Sequence, residues 1–190
     1  MPFLASDIIL LNSTLRLVSV HIIDHLKFIY PYNAKIILLG HSKGGLVGVE
    51  YASRYTNKVA GLISIATPYN YQIFLNGISG DGTLMWPWKM LEIRDQWNQL
   101  NIKPKAFALA SGAFVARTIP VYYMGHLYNH PVEWSDPYVE LSHAMAKGYN
   151  NIKAYQIAYQ GNIAYEHSGM VDQLFTYHRV LACINQIESE

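Results

Sequence analysis

The chain has 190 residues, 51% of them hydrophobic and 14% charged, a balance that builds a packed core and excludes a disordered chain. Its 14 Lys and Arg stand against 13 Asp and Glu, a net charge of +1 with no long run of either sign, which gives no electrostatic footprint for nucleic acid or an anionic membrane. The single cysteine, Cys183, excludes an internal disulfide and any multi-cysteine zinc or iron–sulfur site.

In chain order, residues 1–20 lack the basic start and small-residue cleavage site of a signal peptide. Asp7, Asn12, Ser13, Thr14 and Arg16 interrupt their apolar residues, so they do not read as a membrane span. As it stands the chain is expected to stay in the cytoplasm, unless a lost N-terminal segment carried a signal. Residues 13–30 place Leu15, Val18, Ile22, Leu26 and Ile29 at spacings of three and four before Pro31, which predicts an amphipathic helix. The continuous apolar run at 35–40 suits a strand buried on both faces of a parallel sheet. Residues 44–56 read as a helix and 59–67 as a second buried strand. Glycines and prolines break the pattern repeatedly across 69–118. Regular patterns return as a strand at 119–124, a helix at 137–148, a strand at 152–159 and a helix at 170–187. Strands alternating with helices predict one α/β domain over 1–190, with 69–118 as an insertion.

Between the first buried strand and the first helix lies Gly40-His41-Ser42-Lys43-Gly44-Gly45, a G-x-S-x-G followed by another glycine. This pattern demands a very tight strand-to-helix turn that holds the serine in a strained conformation with its hydroxyl exposed. The residues two before and two after the serine pack together, leaving no room for a side chain. The helix directs its positive end toward a developing oxyanion, and the Lys43 N–H, just after the serine, is one donor. The plainer alternative is a glycine-rich turn with an idle serine. Lys43 is followed by Gly rather than Ser or Thr, so the stretch is not a phosphate-binding P-loop.

The segment GHSKGGLVGVEYASRY, with VAGLISIATPYN after it, resembles the centre of α/β-hydrolase-fold lipases, above all the bacterial triacylglycerol-lipase group and the related GPI-inositol-deacylase-like hydrolases. In those families a GHSxGG elbow leads into a helix and then a strand ending in a Thr-Pro pair, as Thr67-Pro68 does here. The resemblance covers residues 13–70 and returns at 119–187. It implies a mostly parallel sheet with helices on both faces and a cap or lid inserted at 69–118.

A serine nucleophile needs a base within hydrogen-bond reach and an acid that holds that base in the right tautomer. The resemblance implies the chain order Ser, acid, His. Of the 8 histidines, His21 and His25 precede the serine, and His178 lies inside the last helix. His143 reads as a half-buried helical residue, and His41 as a packing residue of the elbow. His167 stands in a loop before the final helix, and its run His167-Ser168-Gly169-Met170-Val171-Asp172-Gln173 resembles the lipase pattern in which the catalytic His precedes Val-Asn-Gln or Val-Asp-Gln. A plain surface-loop histidine is the alternative. For the acid, Asp81 and Asp95 fall inside the insertion, whereas Asp136 follows the strand at 119–124 and opens a helix at Pro137. An Asp there is also an ordinary helix cap, and Glu133 is a rival. His126 and His130 form an H-x-x-x-H, but Asn129 and Pro131 point to a loop, so no metal site is expected.

The insertion holds Met85, Trp86 and Trp88, expected to contact an apolar substrate or a lipid interface, although such aromatics also serve as a cap's own core. The expected activity is therefore that of a serine esterase or lipase acting on small-molecule or lipid esters, with Ser42, His167 and Asp136 as the triad and no cofactor. The same triad also serves thioesterases and amidases. One element is expected to be missing: the fold's second oxyanion donor comes from a loop upstream of the elbow, marked in the family by a His-Gly pair that this chain lacks. The short stretch before Ser42 has room for one edge strand within 2–11, so the first strands are expected to be missing. A catalytically impaired fragment that binds lipid or a partner is the competing expectation.

Overall fold

The computed structural model describes residues 8–11, 35–70, 87–111, 117–123, 126–132, 139, 141–160 and 166–189. Strand β1 (Ile8–Leu11) is followed by β2 (Ile36–His41), helix α1 (Lys43–Arg54), β3 (Val59–Ile65), helix α2 (Pro87–Gln99) and β4 (Lys105–Ala110). Strands β5 (Arg117–Tyr123) and β6 (His126–Val132) come next, then the short helix α3 (Leu141–Ala144), β7 (Ile152–Gln156), the single turn α4 (Glu166–Gly169) and helix α5 (Leu174–Glu188). Strands β1, β2, β3, β4 and β7 lie in that order in one sheet, every neighbouring pair parallel.

Each inner strand reads as a continuous apolar run because both its faces are covered. In β2, Leu38 packs among Leu46 and Val49 of α1 and Ile93 and Trp97 of α2, while its neighbour Ile37 packs among Val180, Cys183 and Ile187 of α5. Leu62 and Ile63 of β3 divide the same way, as do Ala106 and Phe107 of β4. The period-two alternation of a strand thus feeds two cores at once. Burying a Leu or Ile side chain stabilises by about 1.5–3 kcal/mol, so these two layers supply the main favourable term. Helix α5 meets the sheet through Thr176, Val180, Cys183 and Ile187, spaced by three and four. It approaches β3 so closely that a Cβ on Gly61 would stand 2.4 Å from Ile187 Cδ1. Among the described residues no helix is long and apolar enough to cross a membrane.

Three expectations change. Residues 69–118 are not one irregular insertion: 87–99 form α2, whose Met90, Ile93 and Trp97 are buried in the core beneath α1, and 105–110 form β4, an inner strand of the main sheet. Gly77, Gly80, Gly82 and Pro87 precede or open α2, Pro104 falls between α2 and β4, and the alanines of KAFALA lack the branched side chains that mark a strand. Secondly, the expected strand at 119–124 does not join the main sheet; β5 pairs antiparallel with β6 in a sheet of their own. His126 and His130 therefore sit on a strand rather than a loop, where four residues span about 13 Å. Thirdly, within the helix expected at 137–148 the described residues are helical only over α3, with Ala146 and Gly148 at φ of 52° and 91° just beyond it.

The remaining main-sheet strands and the helices at α1 and α5 fall where the periodicity puts them, with ends shifted by a few residues. Ile8–Leu11, within the stretch expected to supply an edge strand, forms β1 at one end of the sheet among the described residues. The helix expected at 13–30 lies outside the described residues.

Candidate active site

Strand β2 ends at His41 and α1 begins at Lys43, so Ser42 alone makes the turn between them. Its backbone stands at φ 54°, ψ −129°, a region that costs a non-glycine residue about 1–3 kcal/mol and persists only where the surroundings impose it. Those surroundings are tight. A Cβ on Gly40 would lie 2.6 Å from the Gly44 carbonyl and the Gly45 nitrogen, and one on Gly45 would lie 1.9 Å from Thr67 Oγ1. The elbow is therefore pinned on both sides. The Ser42 N–H donates to the Ile65 carbonyl at 2.8 Å, while Thr67 Oγ1 donates to the Ser42 carbonyl at 2.9 Å.

The strained turn projects Ser42 Oγ to 2.9 Å from His167 Nε2, across 125 residues of sequence. With the serine hydroxyl donating, Nε2 is the unprotonated nitrogen of the ring, the arrangement that a general base requires. His167 belongs to the turn α4, which follows β7 by ten residues and is buried, as is its neighbour Glu166. Lys43 is the first residue of α1, its side chain also buried. The N–H groups of a helix's first turn point out of its start, and the helix dipole places positive potential there.

Two contacts hold the His167 turn that the sequence gives no reason to expect. The His167 carbonyl accepts from His41 Nε2 at 2.8 Å, and the two rings lie 4.9 Å apart. The Glu166 carboxylate accepts from Ser111 Oγ, both groups buried and Ser111 lying just past the end of β4. His41 thus does more than pack. Its acceptor is 126 residues away, and neither contact has a local signature.

Asp136, its rival Glu133, and Met85 and Trp86 lie outside the described residues. Trp88 is on α2, which belongs to the core domain rather than to a cap, and is 60% exposed.

The comparisons with known proteins agree with this architecture. The family model described as the alpha/beta hydrolase fold matches residues 32–187. A monoacylglycerol lipase from Paleococcus ferrophilus superposes with a TM-score of 0.53 at 13% identity, covering 92% of this chain and 77% of that one. A thermophilic esterase from Thermogutta terrifontis gives 0.47 at 14% identity over 87% of this chain and 69% of its own. Est1E from Butyrivibrio proteoclasticus, solved with ferulic acid bound, gives 0.44 at 15% over 87% and 66%. At these identities the structural likeness speaks to the fold alone, and no curated protein matches by sequence. A parallel sheet with helices on both faces, a strained serine elbow after an inner strand, and a family match across most of the chain make this protein a member of the α/β-hydrolase family.

Proposed function

We propose that this chain is a serine hydrolase of the lipase/carboxylesterase type, acting on carboxylic esters with an apolar acyl group. The observation that carries the reading is the 2.9 Å contact between Ser42 Oγ and His167 Nε2 at the tip of a strained elbow. Ser42 Oγ attacks the ester carbonyl carbon as His167 Nε2 takes its proton. The carbonyl oxygen, now negative, is stabilised by the Lys43 N–H and the start of α1. Collapse of the tetrahedral intermediate expels the alcohol, which receives the proton from His167, and leaves an acyl-serine. Water, deprotonated by His167, then attacks the acyl carbon, releases the carboxylic acid and restores Ser42. Asp136 is our assignment for the acid that orients the His167 ring, with Glu133 its rival. The apolar substrate preference rests on Met85, Trp86 and the exposed Trp88.

Strand β1 bears on the competing view of an impaired fragment. It runs parallel to β2 with Leu11 level with Gly40, so it ends at the elbow's end of the sheet, the side on which this fold supplies its second oxyanion donor.

A fluorophosphonate probe tests the reading. It should label the wild-type protein at Ser42 and leave Ser42→Ala unlabelled; folded protein that resists the probe would sink it. A panel of esters, thioesters and amides of increasing acyl length then separates esterase from thioesterase and amidase, and alanine in place of Asp136 or Glu133 identifies the acid.

A further inference from the structure

We infer that His41 is a positioning residue that sets the distance between Ser42 and His167, an inference that rests on the hydrolase reading above. Ser42 and His167 come from opposite ends of the chain, and proton transfer needs their heavy atoms within about 2.6–3.2 Å. Covalent geometry supplies half of the solution, because His41 is bonded directly to Ser42. The other half is the bond from His41 Nε2 to the carbonyl of His167 itself, at 2.8 Å. A carbonyl only accepts, so His41 Nε2 carries the hydrogen. The contact therefore ties nucleophile and base together by a short second route beside their direct hydrogen bond: one residue on the serine side and none on the histidine side.

The contact is built rather than incidental. The two imidazoles lie 4.9 Å apart and tilted by 46°, so the His41 ring supports the His167 ring as well as its backbone. The same turn is anchored on its other side, where the buried Glu166 carboxylate accepts from Ser111 Oγ at the end of β4. The base is thus suspended between the ends of two main-sheet strands, β2 through His41 and β4 through Ser111. Removing the β2 anchor takes away the one bond that runs from the serine's own neighbour to the carbonyl of the base, so the Ser42–His167 separation loses its direct restraint. A displacement of the order of 1 Å at such a site costs about a hundredfold in rate.

Glutamine supplies the control. Its amide nitrogen stands about as far from Cα as imidazole Nε2 and donates as that nitrogen does, whereas phenylalanine keeps the ring and loses the donor. Hydrolysis of p-nitrophenyl butyrate, the rate of fluorophosphonate labelling and the thermal midpoint are measured for wild type, His41→Phe and His41→Gln. His41→Phe should lower kcat and the labelling rate together by about 10- to 100-fold with KM changed less than about twofold. His41→Gln should return both to within about threefold of wild type. Equal losses in the two variants, no loss in His41→Phe, or a loss that moves KM alone or follows the folded fraction would overturn the inference. A second arm needs no turnover: 15N NMR of the His167 imidazole should show resonances shifted in His41→Phe and restored in His41→Gln. Wild-type protein that fails to label at Ser42 defeats the hydrolase reading. The NMR arm then still decides the positioning role, and unshifted His167 resonances reject it.

Discussion

The strain at Ser42 has to be held by something, and one side chain that restrains it is Thr67. Its hydroxyl donates to the Ser42 carbonyl at 2.9 Å, an oxygen that also accepts from the Gly45 N–H at 3.1 Å. Thr67 itself is buried directly after Ala66, another non-glycine residue with positive φ, at 49°. The bend at Ala66 turns the chain leaving β3 so that Thr67 reaches back toward the elbow, and Gly45 must lack a side chain because Thr67 occupies the space. Thr67→Val keeps shape and volume while deleting the donor. It should cost about 1–2 kcal/mol in urea unfolding, the usual penalty for removing one partner of a buried hydrogen bond. It should also slow fluorophosphonate labelling, whereas Thr67→Ser, which keeps the hydroxyl, should label at close to the wild-type rate. Equal labelling of Val and Ser variants would show that the backbone holds the elbow without Thr67.

At the scale of elements, α1 and α2 are joined by a charge cluster as well as by apolar packing. Glu50 of α1 is buried and meets Arg54 at 2.7 Å and Lys89 of α2 at 3.2 Å. Arg54 is 55% exposed along its side chain and readily solvated alone, and Lys89 keeps a second partner in Glu92 at 2.9 Å. Glu50→Gln should therefore destabilise by about 1–3 kcal/mol, below the full penalty for breaking a buried pair, and Arg54→Ala by less than about 1 kcal/mol. Urea titrations of the two variants check the order. What the sequence revealed of these elements follows their local signals. The run at 35–40 is apolar at every position but the ends, and only a strand covered on both faces needs that, so β2 and the elbow after it are legible. The residues of β4 are not, because Ala106, Ala108 and Ala110 suit a helix as well as a strand and sheet pairing decides between them. Pro120 and Pro131 lie within β5 and β6, where the two-stranded pairing makes each an edge strand and leaves one side without a ladder bond to lose. Ser42 and His167, the two side chains that meet at 2.9 Å, stand out in the sequence through motif and position. His41, Thr67, Ser111 and Glu166 hold the site through partners from 25 to 126 residues away, and contacts of that kind leave no local trace.

For the whole molecule, the two cores flanking the sheet make stability depend on keeping polar groups neutral inside them, and Cys183 provides the handle. It is fully buried where α5 meets β2, β3 and β4, and burial pushes its thiol from 9.0 to about 11, with Arg179 and Lys153 opposing weakly. Burial likewise pushes the Tyr69 hydroxyl upward, although its bond to Ser64 pulls the other way. In the unfolded chain the thiol ionises near 9.0, so between pH 9 and 11 the unfolded state binds fewer protons than the native state. Stability must then fall as pH rises through that window and stay level with respect to Cys183 below it. Replacing Cys183 by Ala removes this contribution, at the cost of a small cavity that lowers stability at every pH. Urea unfolding at pH 8, 9, 10 and 11 should accordingly show a wild-type decline that is shallower in Cys183→Ala, so that the wild-type advantage at pH 8 shrinks as pH rises. The thiolate is the reactive form, so the native thiol should also resist a disulfide reagent at pH 8 until the α5 face opens, and reagent uptake should track the global unfolding curve. A thiol that reacts at once in folded protein, or parallel pH curves for the two proteins, would place Cys183 in a wetter setting than the α5–sheet core and shift the alkaline sensitivity to the buried tyrosines.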